Sequence, residues 1–277
     1  MDLATRLERA RFRSKVLRAP SVRRRHRGLT DMDALLVSYP RSGTTWLRFL
    51  LSESLTGVSA EFAPDDAAIP YVGDHGPAAP ILADGGRVIM SHETLALGPH
   101  RVIYIVRDPR AVALSEFRWL RRRALIDDDL EVFLRAFTRG RSNPWGSWAG
   151  HVQTWRRSAS AQARRLCIVR YEDLRTDTEA QLSIVLSFLG ASAEPDTIAE
   201  SVRNNSLASM RDKEQRAPDT AFAKGVQRDV RFVAEGAVAG WRRELSPEQV
   251  ASIEKAFGDT MIEVGYALTG DGHNGYP

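Results

Sequence analysis

A short apolar run, Ala34-Leu35-Leu36-Val37-Ser38-Tyr39, passes directly into Pro40-Arg41-Ser42-Gly43-Thr44-Thr45. After it, Trp46, Leu47, Leu50, Leu51 and Leu55 recur at helical spacing. The run has the pattern of a strand buried on both faces in a parallel sheet, and the later spacing predicts a helix from about Gly43. Backbone N–H groups at a helix N-terminus converge on whatever fills the preceding loop, and the helix dipole favours an anion there. Gly43 permits close backbone approach, Ser42, Thr44 and Thr45 can donate hydroxyl hydrogen bonds, and Arg41 supplies a fixed positive charge. These residue types in this order point to an oxyanion site; the bland alternative is an ordinary capped turn. The loop is not a Walker A sequence, which needs Gly, four residues, then Gly-Lys-Ser/Thr. That weakens a nucleotide kinase-like phosphotransferase reading.

The rest of the chain supplies the companions such a unit needs. Strands are predicted at 87–91, ending at His92, at 101–106, and at 166–171. Asp108 and Pro109 start a helix after the third strand, running to about Leu120. Helical periodicity covers 128–138, 147–163 and 178–189, the last stopping at Gly190. Ser246-Pro247-Glu248-Gln249 forms a capping box before a final helix faced by Val250, Ile253, Phe257 and Met261. Residues 57–86 and 211–240 read as loops. Alternating strands and helices predict a single α/β domain with a central, mostly parallel, doubly wound sheet flanked by helices. Ligands in such folds sit at the carboxyl ends of the strands. The organisation expected is a basic arm at 1–31 and one domain at 32–270.

Composition narrows the function classes. Of 277 residues, 43% are hydrophobic and 27% charged, which excludes a disordered or collagen-like chain. The single cysteine, Cys167, sits in the fourth strand and is expected to be inert; one cysteine allows no internal disulfide and suggests a reducing, cytoplasmic setting. No apolar run approaches the roughly 18 residues of a membrane span. The net charge of +4 favours anionic ligands, and nucleic acid is not expected as a partner. Only four of the 39 basic residues are Lys, a bias read mainly as genome composition. Arg23, Arg24, Arg25, His26 and Arg27 cluster in the arm, which reads as solvated; the sharper alternative is a non-catalytic anion or nucleic-acid binder.

Tyr39-Pro40-Arg41-Ser42-Gly43-Thr44-Thr45-Trp46 resembles the 5′-phosphosulfate loop of the sulfotransferase family, a phosphate-loop-like element. A second motif of that family is an Arg after a strand with a Ser eight residues later; Arg107 and Ser115 match it. The resemblance covers about 34–265. It implies sulfuryl transfer from 3′-phosphoadenosine 5′-phosphosulfate to a hydroxyl or amine of a small-molecule or carbohydrate acceptor, with no metal. It implies His92 as catalytic base, with neighbouring Glu93 as the rival, and Arg41 as a catalytic and donor-binding cation. Ser42, Gly43, Thr44 and Thr45 would hold the 5′ side of the donor, and Arg107 and Ser115 its 3′-phosphate. Trp46, Tyr171, Ser206 and Leu207 would line the adenine, and Phe232 and Gly236 belong to the last donor motif.

The chain departs from the family at three places. The family usually has Lys at Arg41, its Arg-Lys in the last motif reads Ala234-Glu235 here, and its Lys two residues before the base is Met90. The 3′-phosphate would then rely on Arg107, Ser115 and either Arg228 or Arg231. No stretch matches the C-terminal dimer motif of the cytosolic members, so no oligomer is implied. Acceptor-lining candidates are Tyr71 and His75 in the first loop, Phe117, Trp119, Trp145 and Trp148 between 117 and 148, and the 211–235 loop.

Overall fold

The computed structural model describes residues 15–62, 68–94, 98–217 and 238–270. Four parallel strands, β1 (Ala34–Ser38), β2 (Val88–Ser91), β3 (Arg101–Val106) and β4 (Leu166–Arg170), lie in the order β2-β1-β3-β4. In register, Leu36 stands beside Met90 on one side and Ile103 on the other. β1 is therefore internal, and every one of its residues is buried.

Alternation along the strands sorts the side chains into two cores. Leu35, Val37, Val102 and Tyr104 face one layer of helices: α3 (Pro109–Arg122), α4 (Leu130–Thr138), α5 (Trp148–Arg156), α11 (Trp241–Glu244) and α12 (Pro247–Glu263). Ala34, Leu36, Ile103 and Ile105 face the opposite layer. That layer contains α2 (Thr44–Thr56), α7 (Tyr171–Thr176), α8 (Thr178–Phe188) and α9 (Pro195–Asn204). The sheet is doubly wound, as the sequence pattern predicts. Local caps set the helix starts: the Asp108 carboxylate accepts from Arg110 N with Pro109 in the first turn, and Ser246 and Gln249 form the expected capping box.

Several boundaries differ from the sequence reading. The 147–163 periodicity divides into α5 and α6 (Ala159–Gln162), because Ser158 caps the second piece by accepting from Ala161 N. Part of the 211–240 loop is helical: Ser206 caps α10 (Leu207–Arg216) by accepting from Ser209 N. Lys213 on that helix donates to Asn205 Oδ1 and Ser59 Oγ, so its charge is buried on polar partners. β4 is an edge strand with Ile168 exposed, and Cys167 is half-buried. Burial raises the Cys167 thiol, which keeps it protonated and unreactive.

The N-terminal segment is not wholly solvated. It forms α1 (Lys15–Arg25), Val22 and His26 are buried, and Arg25 pairs with Glu93 at 2.7 Å. Among the described residues, no helix is long and apolar enough to cross a membrane.

Candidate active site

The carboxyl ends of β1, β2 and β3 meet at one cavity of about 310 Å³. Its floor is the loop between β1 and α2. Gly43 precedes the first turn of α2 at φ 97°, a conformation that favours glycine, and no side chain caps that helix end. A Cβ on Gly43 would lie 2.4 Å from the Tyr171 ring, so the ring lies directly against the loop backbone. Arg41 also has positive φ, 70°, and its carbonyl accepts from Arg107 Nη1 at 3.2 Å. The loop is held in a strained shape by its neighbours, as functional loops often are.

Two arginines face the cavity from different elements. Arg41 Nε donates to Ser115 Oγ at 3.2 Å. Burial and the nearby Arg107 charge lower Arg41 to about 10, which leaves it protonated at neutral pH. The Arg107 guanidinium lies 4.3 Å from the Tyr171 ring centroid, and its buried Nε has no hydrogen-bond partner among the described residues. The Ser42 hydroxyl is likewise buried and unpartnered. Positive charge, a glycine cradle and orphaned donors at a helix N-terminus suit a multiply charged anion.

His92 follows β2 and lines the same cavity. Its Nδ1 lies 3.0 Å from the Ser38 carbonyl and 3.2 Å from Ser38 Oγ. A carbonyl only accepts, so Nδ1 carries the proton and Nε2 keeps its lone pair. Ser38 Oγ also bonds Thr44 Oγ1, tying the imidazole to the loop. Burial lowers the imidazole pKa against the opposing Ser38 bond and Glu93 charge, so the ring is neutral at pH 7. Behind it, Tyr104 O–H donates to His151 Nδ1 at 2.7 Å, and His151 Nε2–H donates to the His92 carbonyl at 3.0 Å. Glu93 does not line the cavity; its carboxylate is occupied by Arg25.

Tyr71, Trp119 and Trp145 add aromatic surface to the cavity wall, and Trp145 meets the His92 ring edge-on at 5.8 Å between centroids. Trp46 lines the far end, its Nε1 donating to the Asn205 carbonyl at 2.8 Å, with Arg175 at 5.2 Å from its ring.

Residues 31–265 match the sulfotransferase domain family. The chain belongs to that family. The rat Sulfotransferase 2A1 is 25% identical over 244 residues, covering 83% of this chain and 85% of the relative. The guinea pig 3-beta-hydroxysteroid sulfotransferase is 24% identical over 248 residues, covering 83% and 84%. A mouse sulfotransferase solved with PAP superposes with a TM-score of 0.65 at 22% identity, over 89% of this chain and 90% of that one. That likeness shares the fold. The enzyme is a sulfotransferase, moving a sulfuryl group from 3′-phosphoadenosine 5′-phosphosulfate to a small-molecule acceptor. The kinase-like and non-catalytic readings give way to this assignment.

The sulfotransferase cavity gathers most of the residues singled out from sequence. Arg41, Gly43, Thr44, Thr45, Trp46, His92, Arg107, Ser115, Tyr171 and Leu207 all line it. Ser42 and Ser206 do not: Ser42 is buried beneath the loop, and Ser206 serves as the cap of α10. Phe232, Gly236, Ala234, Glu235, Arg228 and Arg231 lie outside the described residues. Of the acceptor candidates, Tyr71, Trp119 and Trp145 reach the cavity, whereas Phe117 and Trp148 pack in the core and buried His75 accepts from Gly73 N. Sequence reasoning missed Glu116, Asn143 and Arg175. Glu116 had one available signal, its place directly after Ser115 on an otherwise core-facing stretch of α3.

Proposed function

We propose that His92 is the general base and Arg41 the main stabiliser of leaving-group charge in sulfuryl transfer to a hydroxyl on a ring-bearing small molecule. The donor contributes an activated sulfuryl group whose leaving partner is a phosphate. Little covalent work falls to the protein, so positioning and charge stabilisation carry the rate, as in phosphoryl transfer. Arg41, Thr44, Thr45 and the first N–H groups of α2 surround the place where negative charge grows. Arg107 and Ser115 hold the 3′-phosphate, and Trp46, Tyr171 and Leu207 bracket the adenine.

The observation that carries the base assignment is the direction of the His92 ring. Its Nδ1–H is spent on the Ser38 carbonyl, leaving the Nε2 lone pair for the acceptor's proton. The imidazolium formed is then stabilised by the same Ser38 contact. The aromatic wall of Tyr71, Trp119 and Trp145 supports an apolar ring beside the reacting hydroxyl. The guinea pig relative's name, a hydroxysteroid sulfotransferase, fits the same class.

Donor recognition is tested by thermal unfolding. A ligand at 100 times its dissociation constant stabilises a fold by about 2.7 kcal/mol. Adenosine 3′,5′-bisphosphate should raise the melting temperature clearly, and AMP or ATP far less. Arg107→Ala should abolish the preference for the bisphosphate while keeping a folded baseline. Equal shifts with ATP and the bisphosphate on the wild-type protein would contradict the donor assignment.

A further inference from the structure

Glu116 faces the same cavity, yet sulfuryl transfer as described leaves it without a task. It is 2% exposed, sits on α3 beside Ser115, and lines the cavity along with Asn143, Trp119 and Trp145. Asn143 Nδ2 donates to Glu116 Oε1 at 2.7 Å and to the Tyr39 hydroxyl at 2.6 Å. That hydroxyl in turn donates to the Gly146 carbonyl at 3.3 Å. Asn143 Oδ1 accepts from Trp145 N at 2.9 Å, so one amide fixes both the carboxyl group and the aromatic wall. Glu116 Oε2 is buried and has no hydrogen-bond partner among the described residues, although the Ser142 and Tyr39 hydroxyls lie close to the carboxyl group. A buried acceptor left without a donor is costly, and native interiors supply one. Ser115, the preceding residue, accepts from Arg41 Nε.

We propose that Glu116 is a specificity-determining residue that receives a second hydrogen-bond donor, a hydroxyl or an amino group, on a ring-bearing acceptor whose first hydroxyl is sulfated at His92. The inference rests on the sulfotransferase reading above and deepens it. The wall of Trp119 and Trp145 takes the ring, and the unpartnered oxygen takes a donor that a purely apolar ring lacks. A site with a buried polar group discriminates strongly against an analogue that leaves the group unpaired.

The test uses the full chain saturated with adenosine 3′,5′-bisphosphate and three phenols on one skeleton: 4-ethylphenol, 4-(2-hydroxyethyl)phenol and tyramine. Binding is read by tryptophan fluorescence at pH 7.5, and kcat/KM by sulfuryl transfer from the donor. The wild type should favour at least one of the two donor-bearing phenols by about tenfold or more over 4-ethylphenol. A preference for tyramine alone identifies a cationic partner; a shared preference identifies a neutral hydrogen bond. In Glu116→Gln, Asn143 keeps the Gln oxygen turned towards itself, so an amide N–H replaces the bare oxygen. That variant, its fold checked by its response to the bisphosphate, should lose the preference and treat the three phenols alike in both readouts. Equal treatment of the three phenols by the wild type, binding of none of them, or a preference that survives Glu116→Gln would overturn the assignment. Failure of the wild type to bind the bisphosphate is a separate result, which strikes the sulfotransferase reading itself.

Discussion

His92 is neutral at pH 7 because its surroundings disfavour the cation. Burial outweighs the Ser38 hydrogen bond and the Glu93 charge, and the folded-state pKa falls below the ordinary histidine value of 6.5. A base of this kind stays active as pH drops below 6.5, and the acid limb of the rate profile should lie beneath that value. A limb above 6.5 would contradict the geometry. The stability linkage has the same sign: His92 contributes stability above 6.5 that is lost as pH falls through its lowered pKa. Glu116 runs the opposite way. Burial raises it from 4.5 to about 7 despite the Asn143, Ser142 and Tyr39 hydrogen bonds and nearby Arg41. The folded state then holds more protons than the unfolded chain between about 4.5 and 7, so this group removes stability as pH rises through that window. Glu116→Gln should therefore flatten part of the decline and melt higher than the wild type at pH 8; a lower melting temperature there would show that the carboxylate is stabilised by its site.

Among the elements, the turn from β1 into α2 governs the site. Gly43 is needed twice over: for φ of 97° and because a Cβ would meet Tyr171 at 2.4 Å. Gly43→Ala should cost about 1–3 kcal/mol in stability from backbone strain alone. Bisphosphate affinity should fall further, since the Tyr171 ring and the Arg107 guanidinium above it must both move. Denaturant titration with and without the nucleotide separates the two losses, and unchanged affinity would show that the loop is not the donor cradle. This element was legible in sequence because its signals are local: an apolar run, small polar residues and a helical period. Arg107 and Ser115 were legible through the family motif they match, and the strand followed by Asp108 and Pro109 placed that motif at a helix start. The same logic failed at 207–216. There a polar surface helix, held by the Ser206 cap and by the Lys213 contacts to Asn205 and Ser59, carries too few apolar residues to show a period.

Across the whole molecule, the doubly wound sheet brings the ends of β1, β2 and β3 together, and with them residues far apart in the chain. The alternation of strands with helices along the chain made that architecture readable in advance. What sequence could not show was the partnership of distant polar groups. Glu116 is one more residue of a predicted helix until Tyr39, Asn143 and Arg41 are placed around it, and Arg25 belongs to an arm that reads as solvated until Glu93 is beside it. The Arg25–Glu93 pair also supports His92 over Glu93 as the proposed base, because it occupies one carboxylate outside the cavity while His92 stands inside. The most direct test of the whole reading follows the group transferred. The full chain, given 3′-phosphoadenosine 5′-phosphosulfate with a radiolabelled sulfuryl group and a panel of phenols, hydroxysteroids and sugars, should pass the label to a ring hydroxyl. His92→Ala should cut that turnover by roughly 10²–10⁴-fold with bisphosphate affinity nearly unchanged. Full turnover in His92→Ala, or no label on any acceptor despite tight bisphosphate binding, would contradict the account.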